Sequence, residues 1–202
     1  MTNRQNDQNL PAISGVELKD VVVGGDITFG VKKESNLNII IPAPDPEKIQ
    51  KIIAHSKQLA ADSPQYLDML EQLSSYDKPR PDRPILGLKG KLKAGNREDL
   101  YEDAVFYKDK FAQRLAKHQF SNQAVAIHLY FLTQINERFS SKILPLIKES
   151  YSERAIDSAI SDLIIQPFVS EVITADPTIN ADIIRGMLYF LTGNCHIKWS
   201  HS

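Results

Sequence analysis

The most reactive side chains of the sequence lie together at its end. Cys195 is the only cysteine, His196 follows it directly, and Trp199 is the only tryptophan. A cysteine beside a histidine could supply a nucleophile and its base, or two ligands for a zinc ion. Because successive residues of an extended segment point to opposite sides, His196 is poorly placed to take a proton from Cys195. The spacing therefore argues against a catalytic pair here.

The histidines show no spacing typical of a metal site. A structural zinc ion needs roughly four protein ligands, whereas this chain has one cysteine and five scattered histidines. His128 falls on the apolar side of a predicted helix, which indicates a buried, hydrogen-bonded histidine rather than the base of a triad. We therefore expect no catalytic residue, no metal ligand and no cofactor site.

Gly24-Gly25-Asp26 follows a run of valines and is the one place to look for a phosphate-binding loop. Such a loop needs a helix directly after its glycines, so that backbone N–H groups face the phosphate. Residues 27–31 alternate between apolar and small or polar side chains instead, as a strand does. The glycines therefore predict a hairpin turn.

The segment around these glycines, residues 13–43, predicts a β-hairpin or a three-stranded meander. So small a sheet is marginal alone, and an exposed strand edge can recruit another chain. Trp199 is either a second anchor for a partner or a lid on the domain's own core. The candidate partner-binding residues are Val21, Val23, Ile27, Phe29, Val31 and Trp199.

Helices must position the closing residues, because apolar side chains recur at spacings of three and four along most of the chain. Capping residues predict where the helices begin, and Gly193 is the expected left-handed stop of the last one. The predicted starts are Asp45-Pro46, Asp62 or Ser63 before Pro64, Asn96, Ser121, the Ser150–Glu153 capping box and Asp176-Pro177. The expected fold is mainly α, a helical bundle with a small N-terminal β appendage.

Changes in composition divide the sequence into five parts. Residues 1–12 are polar and predict a disordered leader, and residues 13–43 form the β segment. Residues 44–76 predict a pair of helices, and the segment 77–95, rich in proline and glycine, predicts a loop. Residues 96–202 predict a C-terminal helical domain. Its last residues place Cys195, Ile197 and Trp199 on one side, as in a tail packed on the bundle.

Composition excludes several classes of protein. The chain has 24 basic and 25 acidic residues, a balance that argues against a dedicated nucleic-acid binder. No run approaches the roughly 20 apolar residues that span a membrane, and residues 1–11 lack the apolar core of a secretory signal. A single cysteine fits a reducing compartment. We expect a cytoplasmic protein without membrane contact or direct nucleic-acid binding.

The end of the sequence is similar to a known family. Leu-Thr-Gly-Asn-Cys-His-Ile-Lys-Trp at residues 191–199, preceded by the helical segments 135–139 and 163–167, resembles the C-terminal domains of bacterial three-component conflict systems built around an ABC-type ATPase. The resemblance covers about residues 97–202. Its specific part is the ending, since the rest is a general helical pattern.

The resemblance implies a non-catalytic, helical coupling domain. Such domains link a sensor ATPase, through a middle component, to an effector that acts against phage or other mobile elements. Longer members carry an effector domain first, whereas the preceding residues here hold no catalytic set, which favours the middle, adaptor-like component. The expected partners are the ABC-type ATPase, the effector, or a second copy of this chain.

Two other functions stay open from the residues alone. One is a small enzyme that uses Cys195 with a histidine brought close by folding. The other is a cross-β signalling protein that assembles through residues 21–31, which have high β-propensity and little charge. Asp26 and the two glycines beside it weigh against that assembly.

Overall fold

The computed structural model describes residues 43–84 and 86–200, and within these ranges the chain is helical with no strand. The α-helices are α1 (Pro46–Lys57), α2 (Pro64–Asp77), α3 (Gly87–Ala94), α4 (Tyr101–Lys117), α5 (Asn122–Arg138), α6 (Leu144–Lys148), α7 (Glu153–Ile160), α8 (Gln166–Val172) and α9 (Ala181–Gly193). The predicted mainly α fold is confirmed over these residues. The predicted β segment, with Val21, Val23, Ile27, Phe29 and Val31, lies outside them.

Side-chain caps mark the starts of several of these helices. The oxygens of Asp45, Ser63 and Ser121 each accept a backbone N–H from the first turn of α1, α2 and α5. A proline follows at the first position of α1 and α2, where its missing N–H costs no helical hydrogen bond. These starts agree with the starts predicted from sequence.

The segment predicted as a loop, residues 77–95, is helical in its second half. Gly87–Ala94 forms α3, which packs on α9. Leu88 and Leu92 lie four residues apart on one helical face and are both buried. Their burial outweighs the helix cost of Gly90, which is about 1 kcal/mol for a glycine. The loop prediction is therefore wrong from Gly87 onward.

The predicted helix starts at Asn96 and Ser150 are also wrong. Both residues take left-handed φ angles, of 57° and 58° respectively, so each reverses the chain between two helices instead of capping the next one. After Asn96 the chain makes a 3-10 turn at Glu98–Leu100 before α4 begins at Tyr101. Ser152, and not Ser150, caps α7.

The start predicted for the last helix, at Asp176, is wrong because that carboxylate has another partner. Arg114 Nη2 donates to Asp176 Oδ2 at 2.6 Å, and the backbone N–H of Thr178 donates to Asp176 Oδ1 at 3.0 Å. Asn180 instead accepts the N–H of Ile183 and caps α9. The last helix therefore begins at Ala181.

A proline lies inside the α7–α8 helical segment without breaking it. Pro167 has no N–H to donate to the carbonyl of Leu163, four residues earlier. A π-helical turn, Ser161–Ile165, precedes it, and Arg138 Nη1 donates to the Leu163 carbonyl at 2.8 Å. The Arg138 guanidinium also lies 4.0 Å from the centre of the Phe168 ring. A side chain from α5 thus supplies the hydrogen bond that the proline lacks.

The centre of the bundle is the pair α4 and α9, and a glycine sets their separation. A Cβ atom at Gly186 would lie 2.7 Å from Phe111 Cβ and would press against the carbonyl of Tyr107. The backbones of the two helices therefore approach as closely as they do only because position 186 has no side chain. α5 packs beside this pair, and α1 and α2 each pack on α5.

Gly193 is not the left-handed stop that the sequence predicted. It is the last residue of α9, and the residue with the left-handed backbone is Cys195, at φ 63°. Glycine was the expected choice because it takes positive φ without steric cost. The helix continues instead through Gly193, and the turn falls on a residue whose side chain is buried.

The two glycines of α9 give a test of this packing. Gly186→Ala should lower the free energy of unfolding by about 2 kcal/mol, because its Cβ overpacks α4. Gly193→Ala should be neutral or stabilising by up to about 1 kcal/mol, since its Cβ would meet only Lys108 Cδ at 3.5 Å and Leu88 Cβ at 3.9 Å. Urea denaturation of both variants measures the difference. A destabilised Gly193→Ala would contradict the helical conformation at that position.

Candidate functional site

The candidate site is the closing tail, residues 194–199, which turns back from the end of α9. Cys195 N–H donates to the carbonyl of Thr192 at 3.1 Å, and His196 N–H donates to the carbonyl of Leu191 at 2.8 Å. These two bonds, with the left-handed Cys195, make a Schellman turn. A non-glycine residue in this conformation costs about 1–2 kcal/mol. The contacts of the tail must offset that cost.

Cys195 lies in the interior of the domain with 0 % exposure. Its Sγ donates to the carbonyl of Pro84 at 3.5 Å. Solvent and substrates therefore have no access to the thiol, and its hydrogen bond goes to the backbone rather than to a base. In this arrangement the side chain behaves as a small buried group.

His196 contacts the end of α2 and the chain that follows it. Its Nε2 lies 3.1 Å from the carbonyl of Lys78, and its ring centre lies 5.0 Å from that of Tyr76. A carbonyl only accepts, so Nε2 carries the proton of the bond. Burial lowers the pKa of His196, against the opposing effect of the Lys78 carbonyl. The structure does not bring His196 and Cys195 together as a catalytic pair.

Arg83 joins the closing tail to the proline-rich segment before α3. Its Nη1 donates to the carbonyls of Cys195, at 2.9 Å, and His196, at 2.5 Å. Asn194 adds a bond from Nδ2 to the carbonyl of Tyr76 at 2.9 Å. The turn therefore leaves neither of its two carbonyls unpaired, as buried backbone requires. Sequence reasoning missed Arg83 because its partners are backbone atoms far away in the chain.

Trp199 ends the tail inside the domain's own core, with 1 % exposure. Its Nε1 donates to Thr192 Oγ1 at 3.0 Å, and its rings lie 5.1 Å from the ring of Phe139. A Cβ at Gly95 would lie 2.7 Å from Trp199 Cβ, so α3 ends in close contact with the tryptophan. The side chain has the position of a lid. A partner would reach it only if the tail left the domain.

His128 is buried beside an arginine. Arg114 Nε donates to His128 Nε2 at 3.2 Å, which requires that nitrogen to be unprotonated. Burial, together with the positive charge of Arg114, lowers the pKa of His128 to about 3. The histidine is therefore neutral and satisfied, as its place on an apolar helical face predicts. Its partner Arg114 is also bonded to Asp176.

Sequence reasoning missed several buried charged residues, among them Arg97 and Glu171. Arg97 is 3 % exposed, and its guanidinium forms two bonds to Asp157, of 2.9 and 3.0 Å. Glu171 is also 3 % exposed, and burial raises its pKa although Arg138 opposes the effect. The position of Glu171, three residues after the buried Phe168, places it on the apolar face of α8. That spacing was the available signal for Glu171.

Residues 43–84 and 86–200 contain neither a metal site nor a membrane-spanning helix. No three His, Cys, Asp or Glu side chains in these ranges are placed to hold one metal ion. Nor does this part of the chain include a helix with the length and apolar character needed to cross a bilayer. The geometry of the closing tail is accordingly that of a structural element: it turns, bonds to the backbone of distant segments and fills the core.

Comparison with known proteins identifies one similarity. A family model described as C-terminal domain 9 of the ABC-three component (ABC-3C) systems matches residues 87–199. The match begins at the first residue of α3 and ends at Trp199, so it contains the closing tail and most of the bundle. It starts inside the segment that the sequence predicted as a loop. No curated protein and no solved structure matches the chain.

The low pKa of His128 predicts how the unfolding free energy depends on pH. Below about pH 6.5 the unfolded chain binds a proton at this histidine and the folded protein does not, so stability falls as the pH decreases. His128→Gln keeps an acceptor for Arg114 but cannot titrate. Between about pH 7 and pH 5.5 the unfolding free energy of the wild type should fall by about 1 kcal/mol more than that of the variant.

Urea denaturation of both proteins at the two pH values measures this difference. His196 also has a lowered pKa, but its contribution is common to both proteins and cancels. Parallel losses of stability in wild type and variant would contradict a neutral, buried His128.

Proposed function

The chain belongs to the family of C-terminal domain 9 of the ABC-3C systems, which matches 87–199 of its 202 residues, and on that premise we propose that it is a non-catalytic adaptor. In this role it holds a sensor ATPase and an effector of a bacterial defence system in one assembly. The fold serves as a rigid body that presents surfaces to protein partners.

One observation carries the proposal: Cys195 and His196, the pair that the sequence singles out for chemistry, are occupied by structural contacts. The Cys195 thiol is buried against the Pro84 carbonyl, and the His196 ring is bonded to the Lys78 carbonyl. A reaction centre needs a nucleophile with access to substrate and a base within reach. No contact of Cys195 favours a cysteine enzyme, so we do not propose that alternative.

The N-terminal segment supplies one proposed contact with a partner. Its alternating residues Ile27, Phe29 and Val31 would share one face of a strand, and strands of that kind add to the sheet of another protein through their backbone. Trp199 is not part of this proposal, since it is enclosed in the domain. Assembly through residues 21–31 into a cross-β fibre lies outside the described residues and is not needed for an adaptor.

Co-purification tests the proposal. The full chain, carrying an affinity tag, is co-expressed with the ATPase and the effector of its own system. We expect both components to co-purify with the wild type. Ile27→Asp combined with Phe29→Asp should reduce recovery by at least about tenfold, because charge on a buried strand face is costly. Thr28→Asp, on the opposite face, is the control and should retain both components.

Two outcomes would count against this account, and they differ in meaning. If the wild type retains neither component, the adaptor proposal itself fails. If the double variant binds as well as the control, the strand contact fails while the adaptor role stands. Thermal melting of the three proteins shows whether the helical domain is intact in each.

A further inference from the structure

A groove lies between α1 and α2 on the surface of α5. The two helices pack on α5 rather than on each other, and the space between them has a volume of about 410 Å³. Its apolar lining comes from all three helices, and its polar lining comes almost entirely from α1. The lining residues are Lys48, Lys51, Ile52, His55, Ser56, Met69, Ala126, Leu129 and Tyr130.

The groove leaves apolar surface of α5 only partly covered. Ile127, Phe131 and Ile135 on the other face of α5 are buried in the core, whereas Leu129 and Tyr130 keep partial exposure toward the groove. Each Å² of apolar surface left in water lacks the stabilising free energy of about 25 cal/mol that its burial would give. The apolar surface here is small and is bounded by polar side chains, as the apolar core of an interface is bounded by a polar rim.

The shape of the groove suits a helix. Its walls are two helices and its floor is a third, so a further helix laid between the walls would contact all three by ordinary helix packing. α1 has 12 residues and is therefore about 18 Å long. A partner helix of three to four turns would cover that length, with apolar residues at i, i+3, i+4 and i+7 facing the floor.

The charges of the groove select one kind of helix. Lys48, Lys51 and His55 line it along α1, and none of the described residues that line it is acidic. The Lys48 ammonium lies 4.9 Å from the centre of the Tyr130 ring, directly at the groove. Lys51 has only a weak exposed pair with Glu47, at 3.8 Å. Charge complementarity therefore favours a helix with acidic residues along one edge.

We propose that the α1–α2 groove binds an amphipathic helix of another component of the assembly, with its apolar face on α5 and its Asp and Glu residues beside Lys48 and Lys51. This step rests on the proposed adaptor function and names a second surface through which it acts. The walls of the groove, α1 and α2, precede the family match, and the floor, α5, lies within it. The matched domain thus gains this surface from the helices before it.

Two designed peptides test the chemistry of the groove. Both are helices of about 15 residues with the same leucines at i, i+3, i+4 and i+7, one edged with glutamates and the other with lysines. Fluorescence anisotropy measures the binding of each labelled peptide to the full chain. The glutamate-edged peptide should bind about tenfold more tightly at low salt, and added salt should reduce the difference.

Charge reversal on the protein completes the test. Lys48→Glu with Lys51→Glu should invert the preference between the peptides, since both lysines are exposed and their replacement leaves the core unchanged. Lys117→Glu with Lys142→Glu changes the net charge equally at exposed positions outside the groove lining and should keep the preference. Leu129→Gln should weaken both peptides about tenfold by removing apolar contact. Equal binding of the two peptides, or a preference that charge reversal leaves intact, overturns the proposal.

Two other occupants of the groove, a second copy of the chain and the chain's own preceding segment, would give different results. If the chain self-associates in sedimentation and the Lys48, Lys51 double variant is monomeric, the groove belongs to a second copy and the proposal is overturned. If Ile39→Asp with Ile41→Asp strengthens peptide binding, the chain's own preceding segment covers the groove, which also overturns it.

The assembly itself separates this inference from the proposed function. We expect the Lys48, Lys51 double variant to lose one component in co-purification, while the Lys117, Lys142 control keeps both. Full retention by the groove variant overturns the groove inference and leaves the adaptor role intact. Failure of the wild type to bind either component overturns the adaptor role, whatever the peptides show.

Discussion

The reversal of the chain at Cys195 is the constraint on which the rest of the domain depends. The left-handed backbone there sends the closing tail back along α9 and places Trp199 between Gly95, Phe139 and Thr192. The same reversal exposes two carbonyls, which Arg83 pairs. One residue thus ties the end of α9, the proline-rich segment and the end of α3 into a single packed unit. Its conformational cost of about 1–2 kcal/mol is offset by this burial and bonding.

That reversal also explains why a reactive-looking ending has a structural role. The thiol and the imidazole each bond to a different backbone carbonyl. The tail carries rare side chains because this short segment fills part of the core. The family match ends at Trp199, the tryptophan that is buried there. With the tail committed to structure, the proposed contacts with other components would be made by surfaces that the bundle presents, such as the groove on α5.

The sequence predicted what local rules determine. Caps followed by prolines or apolar stripes placed the starts of α1, α2 and α5, and the alternation of the tail predicted that Cys195, Ile197 and Trp199 are buried. Prediction from the sequence failed where the local structure depends on a partner far away in the chain. Asp176 is taken by Arg114, and α3 forms because α9 covers its leucines. The left-handed residue is Cys195 rather than Gly193 for the same reason, since contacts from residues 76–84 hold the turn.

The most direct measurement of this central claim is the unfolding free energy of Cys195→Gly compared with Cys195→Ala. Both variants lose the sulfur and its bond to Pro84. They differ in the backbone preference at position 195, which favours glycine by about 1–2 kcal/mol, and in one buried methyl group, which favours alanine by about 0.8 kcal/mol. At a left-handed turn the glycine variant should be more stable than the alanine variant by up to about 1 kcal/mol, with both below the wild type. An alanine variant as stable as the wild type and equal to glycine would show that neither the turn nor the thiol supports the fold.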